Sequence, residues 1–197
     1  MSTNILSIYW NYWHSFLNAK NFNILTKDPT EKFHNLTYKT RQESDLIIGK
    51  KKQIKLVTQK KALTPTLKTQ LKLHKTDIAI RPVINNRTAP AYKLARYLTK
   101  ALDQYISLNN YFNATNSTNL ANDLTKLEIH ENHRMISFDI KDLYVNIPID
   151  EILNIIKTKL LQNNNIQIAH QMLSLLKVIL SQDYLMFHVR KLGQTKG

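Results

Sequence analysis

The 197-residue sequence predicts a helix-rich α+β fold. Only three Gly and five Pro occur beside abundant Leu, Ile and Lys, which is typical of a folded, helix-leaning chain. Apolar residues alternate with polar ones in some segments and recur at helical spacing in others, so both strands and helices are expected. A hydrophobic content of 43% in a chain of this length is enough for one sizeable core or two small subdomains.

A two-stranded ribbon is predicted in the first half of the chain. Apolar and polar residues alternate from Leu67 to His74, and a second extended run follows from Ile78 to Asn85. The three residues 75–77 join the two runs as a short loop. The ribbon has one basic edge, with Lys75 near its tip and Arg81 on the returning strand.

Four helices are predicted from capping signals and helical spacing. The first begins near Thr88 and Pro90 and has the apolar face Leu94, Tyr97, Leu98, Ala101, Leu102 and Tyr105. On another side of it lie Lys93, Arg96 and Lys100, which either follow a nucleic-acid backbone or are simply solvated. The other three helices are expected from Ser117 or Thr118 to about Leu127, from Pro148 through Ile152, Ile155, Ile156 and Leu160, and over Ile168, Met172, Leu175, Leu176, Ile179 and Leu180.

The segment 135–148 carries the main candidate for catalysis. Ile136, Phe138 and Ile140 alternate with polar residues, which predicts a half-buried strand that presents Asp139 at its end. A strand-end carboxylate suits a hard cation such as Mg²⁺, which prefers oxygen ligands. Tyr144 would stand under an incoming sugar and select deoxynucleotides by exclusion. Because such alternation is common, an ordinary structural strand remains an alternative.

The charge of the chain is strongly positive and unevenly distributed. The net charge is +14; residues 1–100 hold 19 Lys/Arg against five Asp/Glu, and residues 101–197 hold nine of each. Nine lysines and no acid lie between Asp45 and Asp77. Such a stretch attracts a polyanion and releases its counterions, so nucleic acid is the expected partner. A solvated lysine-rich surface is the alternative.

Several classes of site and location are not expected. The chain has no Cys, which excludes disulfides, thiolate zinc sites and cysteine nucleophiles. His133, His170 and His188 lack the i, i+4 spacing of a helical zinc pair. No run is apolar enough for a membrane span, and the first 16 residues do not resemble a secretion signal. We therefore expect no membrane partner and an intracellular, nuclear or cytoplasmic, location.

Ordered motifs give the sequence a family resemblance. They are KDPT at 27–30, LKLHK at 71–75, RPVIN at 81–85, APAYKLA at 89–95, NST at 116–118, SFDIKDLYVNIP at 137–148, QDYLMF at 182–187 and QTKG at 194–197. In order and spacing the region from about residue 21 onward resembles the front half of a reverse transcriptase of the Penelope-like retroelement group. The resemblance implies a right-hand polymerase fold with fingers at 21–130, part of a palm at 131–197 and a divergent segment at 1–20.

The resemblance also implies an activity and roles for residues. The activity is RNA-directed DNA synthesis by two-metal nucleotidyl transfer, with Mg²⁺ as cofactor and an RNA template, a DNA primer and deoxynucleoside triphosphates as partners. Asp139 and the backbone carbonyl near Ile140 would bind metal, Tyr144 would check the sugar, and Lys75 with Arg81 would hold the triphosphate. The nucleic-acid contacts are expected at Lys72, Lys93, Arg96 and Lys100, with an ordinary surface hairpin as the alternative for Lys72.

The sequence lacks other parts of that family's pattern. It contains no Asp-Asp dipeptide, so the second pair of catalytic carboxylates is missing, as are the remaining C-terminal palm and the thumb. We therefore expect a fragment that does not polymerise by itself, because Asp139 cannot hold two divalent cations alone. The rival hypotheses are a non-enzymatic, basic nucleic-acid-binding fragment and a degenerate retroelement relic.

Overall fold

The computed structural model describes residues 22–49, 55–72, 79–107, 113–114, 116–140, 143, 146–187 and 190–194. Over these residues the fold is α+β, as the sequence predicts. The helices are α1 (Thr30–Gln42), α2 (Asp45–Ile48), α3 (Tyr92–Tyr105), α4 (Ser117–Leu124), α5 (Ile149–Asn163) and α6 (Ile166–Leu180). The strands are β1 (Phe22–Ile24), β2 (Thr66–Lys72), β3 (Ala79–Asn85), β4 (Tyr184–Phe187) and β5 (Arg190–Gln194).

The strands form one mixed sheet in the order β1-β5-β4-β2-β3. The pairs β1–β5, β5–β4 and β2–β3 are antiparallel, and β2 lies parallel to β4 through Thr66 and Met186. The predicted ribbon is confirmed, since β2 and β3 pair along their full length from Thr66 opposite Asn85 to Lys72 opposite Ala79. Strand β3 ends the sheet, and Pro82 in its middle is acceptable there because an edge strand has one side that donates no ladder hydrogen bond.

Helix α6 is the centre of the hydrophobic core. It contacts α1, α2, α3 and α5, and its buried face is Ala169, Met172, Leu175 and Val178. Leu94 and Leu98 of α3, Leu160 of α5 and Ile47 and Ile48 of α2 pack into the same cluster. Residues from both sides of the predicted boundary at 130 thus share this core, while the boundaries themselves stay predictions.

The predicted helices exist, with differences at their ends and faces. Helix α3 buries Leu94, Leu98 and Ala101, as its spacing indicates. The cap of α4 is Asn116, whose side chain accepts a 2.8 Å hydrogen bond from the Asn119 amide, and not Ser117 or Thr118. Ile155, one of the apolar residues by which the sequence predicts α5, is exposed, because α5 meets α6 through the face that carries Leu153 and Leu160.

The predicted strand at 135–140 is wrong. These residues belong to none of the five described strands, and Ile136, Phe138 and Ile140 are 68%, 90% and 66% exposed. A strand is stable only where a neighbour supplies its backbone hydrogen bonds and another layer covers its apolar face. Among the described residues neither is present beside this segment. Helices α5 and α6 pack against the helical core.

A buried arginine that sequence reasoning missed fixes the end of α1. The Arg41 side chain is 3% exposed, donates a hydrogen bond to the Thr58 hydroxyl and stacks 4.4 Å above the centre of the Tyr38 ring. Burial lowers the pKa of Arg41, and the neighbouring Tyr38 opposes that shift. Because the guanidinium remains charged at ordinary pH, these contacts hold a cation inside the fold between α1 and the chain that leads to β2.

Candidate nucleic-acid interface

The β2–β3 ribbon presents cations on one of its faces. Gln70 lies opposite Arg81 and Lys68 lies opposite Val83. Opposed residues of an antiparallel pair share a face, and so do alternate residues of one strand. Lys68, Gln70 and Arg81 therefore lie on one face, where all three are exposed. Of the other predicted ribbon contacts, Lys75 and the side chain of Lys72 lie outside the described residues.

Helix α3 presents a second group of cations. Lys93, Arg96 and Lys100 are exposed, on the side away from the buried Leu94 and Leu98. The guanidinium of Arg96 lies 5.9 Å from the centre of the Tyr92 ring, at the outer limit of a cation–π contact. The helix thus anchors one face in the core and leaves three cations free to meet a polyanion.

A short, hydrogen-bonded segment joins β3 of the ribbon to α3. Six residues separate Asn85 from Tyr92, and the Thr88 carbonyl among them accepts a 2.9 Å bond from the Leu63 amide. From residue 79 to residue 102 the sequence has five Lys/Arg and no Asp or Glu. The positive potential of these consecutive elements is therefore not cancelled by acids in the same stretch.

Gln182 fixes the start of α3 relative to two other helices. Its side-chain carbonyl accepts a 3.2 Å bond from the Ala91 amide, and its side-chain amide donates to the Thr37 hydroxyl at 3.2 Å and to the Val178 carbonyl at 3.5 Å. This residue opens the QDYLMF motif. Its structural task depends on contacts with residues 91 and 145 positions earlier in the chain, so no local sequence signal could have identified it.

The KDPT motif forms a polar junction between α1 and β2. Asp28 Oδ1 accepts a 2.9 Å bond from the Thr30 amide, and its two carboxylate oxygens lie 3.2 and 3.0 Å from the Thr64 hydroxyl that donates to them. The hydroxyls of Thr30 and Thr64 are 3.0 Å apart. Asp28 therefore accepts a hydrogen bond from an amide at the start of α1 that has no partner within the helix. It also connects the start of α1 to Thr64, two positions before β2.

Tyr184 of β4 packs against this junction. Its ring stacks on Phe33 with centres 5.0 Å apart and planes 7° apart. Burial is the main cause that raises the pKa of Tyr184; the charge of Asp28 adds to the shift, and the Thr30 hydroxyl opposes it. Although Thr30 is near, the Tyr184 hydroxyl has no partner in hydrogen-bond geometry among the described residues. The motif thus supports the fold rather than offering a reactive group.

The predicted catalytic residues are not assembled into a site within the described part of the chain. Asp139 and Ile140 lie in the exposed, irregular segment that precedes α5, and Tyr144 lies outside the described residues. No group of three or more His, Asp or Glu side chains is placed to hold a metal ion in residues 22–194, as far as these are described. Mg²⁺ requires several oxygen ligands, so Asp139 and one carbonyl do not form a magnesium site by themselves.

Two open clefts are lined mostly by charged and amide side chains. One, of about 460 Å³, is lined by Asp28, Thr30, Glu31, His34, Lys60, Lys61 and Ala62. The other, of about 500 Å³, is lined by Glu43, Asp45, Leu46, Ile166, Gln167, His170 and Gln171. Lysines and carboxylates oppose each other in the first, and the second has two carboxylates beside an imidazole. Neither has the mainly apolar lining of a small-molecule site.

The fold and the basic elements define a small α+β protein with a helical core, a mixed sheet and a cation-rich ribbon and helix. Comparison of the chain with protein-family models, curated proteins and solved structures gave no match. No helix in the described ranges is long and apolar enough to cross a membrane.

Proposed function

We propose that the chain is part of an RNA-directed DNA polymerase of the reverse-transcriptase type, and that its own contribution is to bind nucleic acid. The observation that supports this proposal best is the antiparallel β2–β3 ribbon, with Lys68 and Arg81 exposed on one face, followed at once by α3 with Lys93, Arg96 and Lys100 exposed. Exposed cations on consecutive elements of the fold can contact the phosphates of one nucleic acid together. The ordered sequence motifs from 27–30 to 194–197 supply the polymerase part of the proposal.

The catalytic part of the proposal assigns one role to this chain. Asp139 would supply one carboxylate to a two-metal centre in an assembled polymerase, where Mg²⁺ would neutralise the phosphates of the incoming nucleotide. The described residues do not fit two metal ions, so further carboxylates must come from polypeptide other than these residues. We expect purified 1–197 not to extend a primer on an RNA template, and extension would overturn this view.

A second candidate function is non-enzymatic nucleic-acid binding. It is favoured by the placement of Asp139 in a segment that none of the described strands supports, while the basic elements are firmly held. The same chain could then bind RNA or an RNA–DNA hybrid through backbone contacts alone.

The first experiment measures binding to single-stranded RNA and to an RNA–DNA hybrid by fluorescence anisotropy over a range of salt concentrations. Replacing Lys93, Arg96 and Lys100 by Gln should weaken binding and reduce the salt slope by about 0.7 per lost phosphate contact on a single strand. The matched control replaces Lys157, Lys159 and Lys177, which are exposed on α5 and α6, and so removes the same charge. An equal loss in both triple variants would show an unspecific charge effect and contradict the proposed interface.

The second experiment separates the two candidate functions. Asp139→Asn should leave RNA binding unchanged or slightly stronger, since it removes a negative charge without removing a cation. In an assembled polymerase the same variant should abolish nucleotide transfer, because a neutral amide is a far poorer ligand for Mg²⁺ than a carboxylate. Full activity of the assembled variant would exclude the catalytic role and leave the binding function.

A further inference from the structure

His130 and His133 lie side by side on a hydrogen-bonded turn in the chain between α4 and α5. The His133 amide donates a 2.8 Å bond to the His130 carbonyl, which closes the turn around Glu131 and Asn132. The two imidazole ring centres are 5.7 Å apart, and the ring planes are inclined by 50°. Both side chains are exposed. The i, i+4 rule for helices does not find this pair, because a turn brings residues i and i+3 together instead.

The separation of the rings suits a shared metal ion. Zn²⁺ binds an imidazole nitrogen at about 2.0–2.1 Å, and two such bonds at near-tetrahedral angles place the ring centres roughly 5–6 Å apart. The observed 5.7 Å falls in this range. Both rings face solvent, so a change of side-chain torsion costs little, and the hydrogen-bonded turn already fixes the distance between the two backbones.

The surroundings of the pair favour a cation. Glu128 and Glu131 flank His130 and outnumber Arg134, the cation next to His133 in the sequence; Lys126, four residues before His130, lies 3.7 Å from Asp123 in an ion pair. Every described side chain from 116 to 140 is exposed, so none of the described elements blocks access to the turn. A divalent ion bound here would keep water in its other coordination positions.

We propose that the His130–His133 turn is a binding site for a divalent transition-metal ion of the zinc type. Neutral imidazole suits Zn²⁺, Ni²⁺ and Cu²⁺, whereas Mg²⁺ prefers carboxylate, carbonyl and water oxygens. The site is therefore chemically distinct from any magnesium centre that Asp139 would serve, and it does not depend on the proposed polymerase function.

Isothermal titration of the full chain with Zn²⁺, in a buffer that does not chelate it and with Mg²⁺ in large excess, tests the site. The expected result is one Zn²⁺ per chain bound at the pair despite the Mg²⁺. His130→Ala and His133→Ala should each lower the affinity by roughly 10²-fold, since either removes the advantage of two linked ligands. His170→Ala, which changes another exposed histidine, is the matched control and should have no effect.

Imidazole proton signals in NMR spectra give a second readout of Zn²⁺ binding, which does not depend on the heat of binding. Zn²⁺ should shift the signals of His130 and His133 together at one equivalent, and the thermal melting of all variants without metal should remain that of the parent chain. Unchanged Zn²⁺ stoichiometry and affinity in the double variant would overturn the proposal. So would signals of the two rings that do not respond to Zn²⁺.

Discussion

At the scale of single residues, Asp28 shows how one carboxylate can join two elements that are distant in sequence. It accepts from the Thr30 amide at the start of α1 and from the Thr64 hydroxyl ahead of β2. The charge of Asp28 also favours the positive end of α1. The KDPT motif, which suggested a family in the sequence, thus has a structural reason that holds whatever the protein does.

Replacing Asp28 by Ala should destabilise the fold. The variant loses a capping interaction and leaves the buried hydroxyls of Thr30 and Thr64 without their carboxylate acceptor, which together cost about 1–3 kcal/mol. Urea unfolding followed by circular dichroism measures the difference. Asp28→Asn is the matched control, because Asn caps helices as well as Asp and should recover most of the lost stability. Equal losses in both variants would show that charge, and not capping, is what matters.

The raised pKa of Tyr184 predicts how the free energy of unfolding changes at alkaline pH. Its pKa is raised in the folded chain, chiefly by burial, so the folded state keeps the phenol proton to higher pH than the unfolded state does. By proton linkage, protonated Tyr184 contributes fully to the free energy of unfolding below about pH 10, the ordinary pKa of tyrosine. This contribution is lost as the pH rises through the pKa of Tyr184 in the folded state.

Tyr184→Phe should reduce this alkaline loss of stability. It removes a buried hydroxyl without a hydrogen-bond partner, so the free energy of unfolding at neutral pH should stay within about 1 kcal/mol of the parent value or increase. The measurement is urea unfolding at a series of pH values from neutral to alkaline. Tyr92→Phe, a change at a half-buried ring on α3, is the control. A variant that loses stability at neutral pH would mean that the hydroxyl is paired.

At the scale of elements, Gln182 connects α1, α6 and the start of α3, which is the helix with the three exposed cations. Its side chain contacts Thr37 of α1 and Val178 of α6, and it also accepts from the amide of Ala91 just before α3. Gln182→Ala should lower the free energy of unfolding by about 1–3 kcal/mol because these partners are left unpaired or dependent on water. If α3 binds RNA as proposed, a shift of its start in this variant should also weaken that binding.

Gln162→Ala, a change at an exposed position of α5, is the matched control for Gln182 and should have no effect on urea unfolding or on RNA binding. A Gln182 variant as stable as the parent chain would mean that packing alone sets the start of α3.

Two segments in which apolar and polar residues alternate adopt different structures, since one forms a strand and the other does not. Residues 66–72 form β2 because β3 pairs with them on one side and β4 lies on the other. Residues 135–140 alternate just as clearly but have no strand beside them among the described residues. Alternation therefore indicates which face would be apolar, whereas the neighbouring strand decides whether the strand forms at all.

At the scale of the whole molecule, the charges divide the chain. From Asp103 to Glu151 there are eight Asp/Glu and three Lys/Arg, while the rest of the chain has 25 Lys/Arg and six Asp/Glu. The acidic stretch contains residues 116–140, whose described side chains are all exposed and include large apolar ones such as Met135 and Phe138. Exposed apolar side chains in such number are typical of a surface that another polypeptide covers.

Limited proteolysis should detect the lack of buried side chains in residues 116–140. Of the described lysines and arginines, we expect trypsin to cleave first after Lys126 and Arg134, because their segment has no buried side chain to resist local opening. Lys157 and Lys159 are equally exposed but lie within α5, which is anchored by Leu153 and Leu160, and they should be cleaved later. Mass spectrometry of early fragments distinguishes these sites. Cleavage at all four with equal rates would contradict the expected difference.

The sequence by itself determined the α+β class, the β2–β3 ribbon, the positions of four helices and the excess of positive charge. These features depend on local periodicity, on capping residues and on composition, all of which can be read within a few turns or one strand pair. Only the tertiary structure decided that 135–140 is not a strand and that Gln182 and Asp28 hold distant elements together. Each of these depends on which neighbours are present in space, and hydrogen-bond partners and burial are properties of that arrangement and not of any single segment.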